Sequence, residues 1–358
     1  MSRTRGAGAP TAQGPRAAHR EPAGAQPSEQ RTFLYTRGGI ASDVVVLLLC
    51  YFPFQIYPAA LAAAAAYALA VGLIELDKLL LAIAGLVALS FCLPTAYQPR
   101  YHDFNFAADP LISWHRRVSV VLPGERLPAR GAGYVFAVHP HGRVFVSFSI
   151  LLFFYRRWLM ADEPGGARGP LLPPDTHMFF GVKLFTSLPW IRNVFGALGL
   201  VSAGRRELTS ILSRGDHVAL LVGGVPEVCL GTFDHKDVLY LRKRQGFLRL
   251  AMETGGGVVP VYCFGENRLF KHTSPTLLRF WRLVNRFAPV GAPFPVCGPF
   301  NLMLPFRGDL RLAFGDPLFH RRGETLDDFH ARYIDAIEAL FAANVGMTDN
   351  PGCALEIR

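Results

Sequence analysis

Apolar and polar positions divide the chain into three parts. Residues 1–38 hold few large apolar side chains and are rich in Ala, Gly, Pro, Arg and Gln, which predicts a disordered tail. Residues 44–74 carry no charge. Pro53 and Pro58 interrupt this run, and "PAALAAAAAYALAVGLI" then predicts a first helix. The tetrad Glu75–Leu76–Asp77–Lys78 follows, and "LLLAIAGLVALSFCL" (79–93) resumes the apolar pattern. Each segment is shorter than the about 20 residues of a straight membrane span. The pair therefore predicts, within 39–98, a helical membrane hairpin joined by an acidic turn. It either enters and leaves on one face or spans a locally thinned bilayer. Arg31 and Arg37 lie before it and Arg100, Arg116 and Arg117 after it, so both flanks are expected to face the cytosol.

From 99 to 350 the pattern changes. Short apolar runs predict strands at "YVFAVH" (134–139), "THMFFGVK" (176–183), "HVALLVGG" (217–224), "GVVPVYCFG" (257–265) and "LRLAFGDP" (310–317). Amphipathic stretches at 207–215, 246–256 and 325–345 predict helices between and after them. Strands alternating with helices argue an α/β fold with a mostly parallel sheet under helical cover. "SPTLLRFWRLVNRF" (274–287) reads either as an interfacial helix, with Arg279, Arg282 and Arg286 on lipid phosphates, or as a core-packed one.

Composition sharpens this picture. Half of the chain is hydrophobic (51%), only 18% is charged, and the balance is +10. A chain both apolar and basic points to a membrane surface ahead of nucleic acid. The six cysteines are scattered without a CxxC pair, which reads as a reducing, cytosol-facing catalytic part without a disulfide framework.

The chemistry concentrates in three places. In "VHPHGRV", His139 and His141 share a face if the strand persists, but Pro140 cannot donate to a ladder, so the sheet is expected to end there. Gly142 lets the backbone turn close to a ligand. An imidazole at the end of such a strand is placed as a general base. HxH also clasps zinc, yet no further ligand follows closely, so no metal is expected. A serine-hydrolase reading fails because no GxSxG elbow is present. In "LLVGGVPEVC" (220–229), Gly223 and Gly224 offer backbone N–H groups to a phosphate or oxyanion, and Glu227 is placed to orient a histidine or an acceptor hydroxyl. In 241–267, Arg242, Lys243, Arg244 and Arg249 suit the phosphates of a coenzyme A thioester, a solvated face or a lipid headgroup. Gly265, Glu266 and Asn267 end another apolar strand.

HPHG after an apolar strand, VGGxxE, "LRKRQGFLRLA", "VVPVYCFGEN" and "GDP" (315–317) occur in this order. Together they resemble the type-2 diacylglycerol acyltransferase family, which includes monoacylglycerol and wax-alcohol acyltransferases, over about residues 130–345. The resemblance implies acyl transfer from a fatty acyl-CoA, a co-substrate and not a cofactor, to the hydroxyl of diacylglycerol or a related lipid alcohol. It also implies the endoplasmic reticulum membrane or lipid droplets, with the catalytic domain in the cytosol. His139, Pro140, His141 and Gly142 match the family's active-site motif, and Glu227 its acid. Arg244, Gly246, Phe247, Pro260, Phe264, Gly265 and Glu266 match its later block. Two features depart. The family's "YFP" triplet appears at 51–53, ahead of the hairpin, and the H-x4-D aspartate of related glycerolipid acyltransferases is replaced by Val144 and Val146. A carboxylate partner for the base is then expected from elsewhere, first from Glu227. Self-association is left open, and a non-catalytic lipid-binding protein and a zinc hydrolase stand as rival readings.

Overall fold

The computed structural model describes residues 31–36, 57–93, 97–98, 112–161, 169–272 and 304–358, with short gaps at 124–126, 129–130, 183–185, 188, 190, 231 and 234. A few positions between 272 and 304 are also described. Most of the disordered-tail expectation, of the 274–287 segment and of the YFP triplet lies outside the described residues.

The strands are β1 (Arg31–Thr36), β2 (Arg117–Leu122), β3 (Val135–His139), β4 (Met178–Gly181), β5 (Leu200–Val201), β6 (His217–Leu221), β7 (Thr232–Phe233), β8 (Lys236–Leu239), β9 (Gly257–Phe264), β10 (Lys271–His272), β11 (Val296–Cys297), β12 (Asp309–Phe314), β13 (Leu318–Phe319) and β14 (Ala354–Ile357). One nine-stranded sheet runs in the order β1-β2-β12-β9-β3-β6-β4-β5, with β13 beside β9. The neighbours β9, β3, β6, β4 and β5 are mutually parallel, whereas β12 runs antiparallel to β9. Their carboxyl ends therefore share one edge.

The central strands are continuous apolar runs because both faces are covered. Every residue of β3 and β9 is buried. The two faces sort by alternation. Phe136 and Val138 join a core with α3 (Val146–Tyr155), while Val135 and Ala137 join one with α5 (Arg205–Ser213), α7 (Gly246–Thr254) and α8 (Leu326–Val345). The preceding helices are α1 (Tyr57–Ala70) and α2 (Leu76–Cys92), with α4 (Ile191–Ala197) before α5 and the short α6 (Val225–Leu230) between β6 and β7.

Two expectations are corrected. Residues 31–36 belong to the sheet as β1, antiparallel to β2, because alternating Thr, Phe, Leu and Tyr give them a pairing strand's pattern. The sheet ends at His139 as expected, and the apolar run after Gly142 forms the ten-residue helix α3. The hairpin turn falls at 71–75, where Gly72 takes a positive φ of 71°, while Asp77 and Lys78 lie inside α2. Asp77 in that first turn is favoured by the helix dipole.

The hairpin has 14- and 17-residue helices, and among the described residues no helix is long and apolar enough to cross a membrane. The expectation of a spanning segment is corrected to that extent, since 17 residues rise only about 26 Å. Leu73, Leu76, Leu80, Leu81, Leu86 and Phe91 are exposed along it. Its far end is latched to α4. Ser90 Oγ donates to Asn193 at 2.9 Å, Arg192 donates to the Ser90 carbonyl at 3.1 Å, and the Arg192 guanidinium stands 5.2 Å from the Phe91 ring centroid.

Candidate active site

The HPHG loop leaves β3 at the carboxyl edge of the sheet. His139 is its last strand residue, opposite Tyr262 in β9, and is fully buried. Its Nε2 lies 2.9 Å from the Tyr333 hydroxyl of α8, and Nδ1 finds no hydrogen-bond partner among the described residues. Burial in this apolar setting lowers its pKa to about 3, so the ring is neutral. The His139–Pro140 peptide is cis.

His141 differs. The residue is half-buried rather than sealed in the core. Its Nδ1 lies 3.1 Å from the Gly142 carbonyl, and Phe145 meets it edge-on at 6.2 Å between centroids. A carbonyl can only accept, so Nδ1 carries the proton and Nε2 keeps its lone pair. Desolvation lowers the pKa of this ring too, leaving it unprotonated near neutrality. The two imidazoles thus do not converge on a shared ion. Among the described residues no group of three His, Cys, Asp or Glu is arranged to hold a metal.

Two buried glutamates hold the loop. Glu227, at the start of α6, accepts the His141 backbone N–H at 2.7 Å and the Tyr240 N–H at 2.9 Å. Burial pushes its pKa up to about 7, an effect the two backbone donors partly offset. Gly223 is obligatory beside it, because a Cβ there would collide with the Glu227 carboxylate. Sequence reasoning expected Glu227 to steady a histidine ring. The structure shows it steadying the backbone instead, and the ring takes a carbonyl of its own loop.

Glu266, just past β9, accepts from the Val146 and Ser147 amides at 2.9 and 2.7 Å and from Ser147 Oγ at 2.6 Å. These are orphan donors of the α3 N-terminus, whose own N-cap position, Phe145, offers no side-chain acceptor. Gly142, with φ of 66°, sits against this carboxylate and has no room for a Cβ. Arg143 completes the clamp by donating to the carbonyls of Asn267 and Phe270.

The other candidates fall into two groups. Gly224 (φ 63°) and Arg244 belong to the site's rim, since the Arg244 guanidinium approaches Gly224 from the turn before α7. Lys243 is exposed in that turn, and Arg242 is exposed but ties down the C-terminal strand through the Ile357 carbonyl. The remainder support the fold. Gly246 opens α7, and Phe247 packs edge-on against Tyr333 at 4.8 Å. Pro260 lies in mid-β9 opposite Ala137, and Phe264 packs on Tyr262 and Phe341. Gly265 turns at φ 88° where a Cβ would strike the Asp309 carbonyl. Asn267 donates to Asp237 at 2.7 Å, in a buried network with Tyr262.

A family model described as diacylglycerol acyltransferase matches residues 124–349, from before β3 to the end of α8. The chain belongs to that family. The resemblance read from HPHG and the later motifs is borne out. Diacylglycerol O-acyltransferase 1 of Schizosaccharomyces pombe is 29% identical over 224 residues, 58% of this chain and 62% of its own. Human 2-acylglycerol O-acyltransferase 3 is 31% identical over 63% of this chain and 67% of its own, and human acyl-CoA wax alcohol acyltransferase 1 is 28% identical over 58% and 65%. The chain thus spans about three-fifths of the length of the first of these relatives. A crystal structure of the 1-acyl-sn-glycerophosphate acyltransferase of Thermotoga maritima superposes with a TM-score of 0.40 at 16% identity, over 84% of this chain and 97% of that one.

Inside the family's matched region, sequence reasoning missed Tyr333, Ser147 and Asp237. Tyr333 carried a signal. It is the one hydroxyl on the apolar stripe Phe329, Tyr333, Ile337, Leu340 of α8. Ser147 lies in an apolar run with nothing to mark it, and Asp237 looks like a surface residue until β8 buries it.

Proposed function

We propose that the protein is an acyl-CoA-dependent O-acyltransferase that transfers a fatty acyl group to the free hydroxyl of diacylglycerol, giving triacylglycerol. Monoacylglycerol and long-chain alcohols are alternative acceptors, since relatives named for each are similarly close. One observation carries the reading. Within a chain of this family, His141 stands half-buried at the carboxyl edge of the sheet, with Nδ1 on the Gly142 carbonyl and Nε2 left unprotonated.

The reaction is a single displacement. His141 Nε2 accepts the acceptor's hydroxyl proton as the oxygen attacks the thioester carbonyl, and the thiolate of coenzyme A leaves and takes up a proton. Backbone N–H groups of Gly142 or of Gly223–Gly224 steady the oxyanion. Glu227 positions the base through the chain rather than the ring. Arg244 and Lys243 attract the phosphates of the donor. No metal or cofactor takes part. The exposed apolar hairpin lies in one leaflet of the endoplasmic reticulum membrane or on a lipid droplet, keeping the site in the cytosol where both amphiphilic substrates arrive.

The test is expression of the full chain in a host lacking triacylglycerol synthesis, with labelled acyl-CoA offered to each acceptor. Label in triacylglycerol is expected. Label in wax ester or diacylglycerol alone selects an alternative, and no acyl transfer to any acceptor rejects the reading in favour of a lipid-binding role.

A further inference from the structure

The two histidines of the loop differ in one respect that lies outside it. His139 Nε2 faces the hydroxyl of Tyr333, a residue on a helix that begins almost two hundred positions later. Both side chains are fully buried. Phe247 packs edge-on against the phenol ring at 4.8 Å between centroids, so the buried ring has little freedom to turn away.

The direction of that hydrogen bond can be worked out. Burial and the nearby Glu227 raise the Tyr333 pKa well above its ordinary value, so the phenol keeps its proton. No other bond of the Tyr333 hydroxyl is present among the described residues. Were Nε2 to donate, the phenol proton and the bare Nδ1 of His139 would both be left without partners. When the phenol donates, only the Nδ1 proton is left over. A dry core favours the arrangement with fewer orphaned groups. His139 is then fixed as the Nδ1–H tautomer, with its single acceptor nitrogen already occupied.

We propose that Tyr333 is a positioning residue that acts through His139, locking its tautomer and orientation so that His141 is the one imidazole of the motif free to accept a proton. This deepens the acyltransferase reading and rests on it for its role in turnover. His139 in turn is the last ordered strand residue before Pro140 and His141, so its orientation sets where the base begins. A displacement of about 1 Å at a base can lower turnover by about a hundredfold.

Tyr333→Phe keeps the ring against Phe247 and removes only the hydroxyl. In the full chain, kcat is expected to fall by about tenfold while KM for acyl-CoA and acceptor stays within about twofold, the pattern of lost alignment rather than lost binding. A second measurement is independent of turnover. With 15N-labelled histidine, the His139 resonances (identified by their absence from His139→Gln) should report Nδ1–H in the wild type and move toward Nε2–H or a mixture in Tyr333→Phe. An unchanged His139 tautomer overturns the lock, and an unchanged kcat overturns its role in the reaction. If the wild type transfers acyl groups to no acceptor, the acyltransferase reading fails, and the resonance measurement still decides the lock.

Discussion

Glu227 reaches His141 through the backbone: Oε2 accepts the His141 amide proton at 2.7 Å while the imidazole turns to the Gly142 carbonyl. The carboxylate that stands in for an H-x4-D partner is therefore a strut for the loop. Its other oxygen takes the Tyr240 amide, so a single side chain spans the HPHG loop and the segment leading to Arg244.

The pH dependence of stability follows from that strut. The folded pKa of Glu227, about 7, lies above its ordinary 4.5, so the folded state holds the proton more tightly than the unfolded chain. The contribution is fully present below about 4.5 and is lost as pH rises through about 7. Glu227→Gln removes this titration. The melting temperature of the wild type should fall relative to that variant between pH 5 and 7 and then run parallel to it, measured by thermal unfolding in detergent across the range. Parallel curves throughout would rule out the buried titration.

The histidines should separate into two kinds of loss. His141→Ala removes the base from a partly open position, so turnover should drop by about 10²–10⁴ with little change in melting temperature. His139→Ala empties a fully buried site and removes the Tyr333 partner, so it should lower stability by about 2–3 kcal/mol as well. In the wild type, the acid limb of kcat/KM should lie below the ordinary histidine pKa of about 6.5, because desolvation lowers that of His141. Turnover and thermal unfolding of each variant check this.

Gly142→Ala meets two penalties together, a positive φ and a Cβ against the Glu266 carboxylate. Destabilisation of about 1–3 kcal/mol is expected, with turnover falling further than stability, since the displaced loop carries the base. Gly131→Ala also faces a positive φ (72°) but open space, and provides the comparison for backbone strain alone. Equal losses in the two variants would remove Glu266 from the explanation.

The hairpin can be tested apart from the chemistry. Leu73 and Leu81 are 73% and 75% exposed, so replacing both with Asp should leave folding of the sheet domain intact. Each charge adds roughly 2–3 kcal/mol against insertion if the residue enters the hydrocarbon. The double variant should leave the floating fraction in a liposome flotation assay, whereas the wild type should float.

The fold was legible where burial wrote a continuous signal. Strands β3, β6 and β9 lie within a few residues of their apolar runs, because parallel strands covered on both faces show mostly apolar residues. Helix α3 was not assigned from its sequence. "VSFSILLFFY" is apolar on all sides, and only its length and the Glu266 cap separate it from a strand. At the site, the motif residues were visible but their division of labour was not. Glu227 and Glu266 act through backbone amides, which every residue carries and no sequence pattern marks. Tyr333 comes from a helix whose placement depends on the finished sheet.

The contact between Gly142 and Glu266 also limits how this loop can vary. Positions 142, 147 and 266 share one small volume: the glycine leaves the space, the glutamate fills it, and Ser147 receives the carboxylate at the head of α3. A larger residue at 142 meets the side chain at 266 as well as the positive φ, and shortening 266 to make room strips the helix of its cap. Each single step therefore costs stability, whichever comes first. The two positions lie 124 residues apart in sequence, which makes 142 and 266 a place to look for compensating replacements in a laboratory-evolved library of this chain.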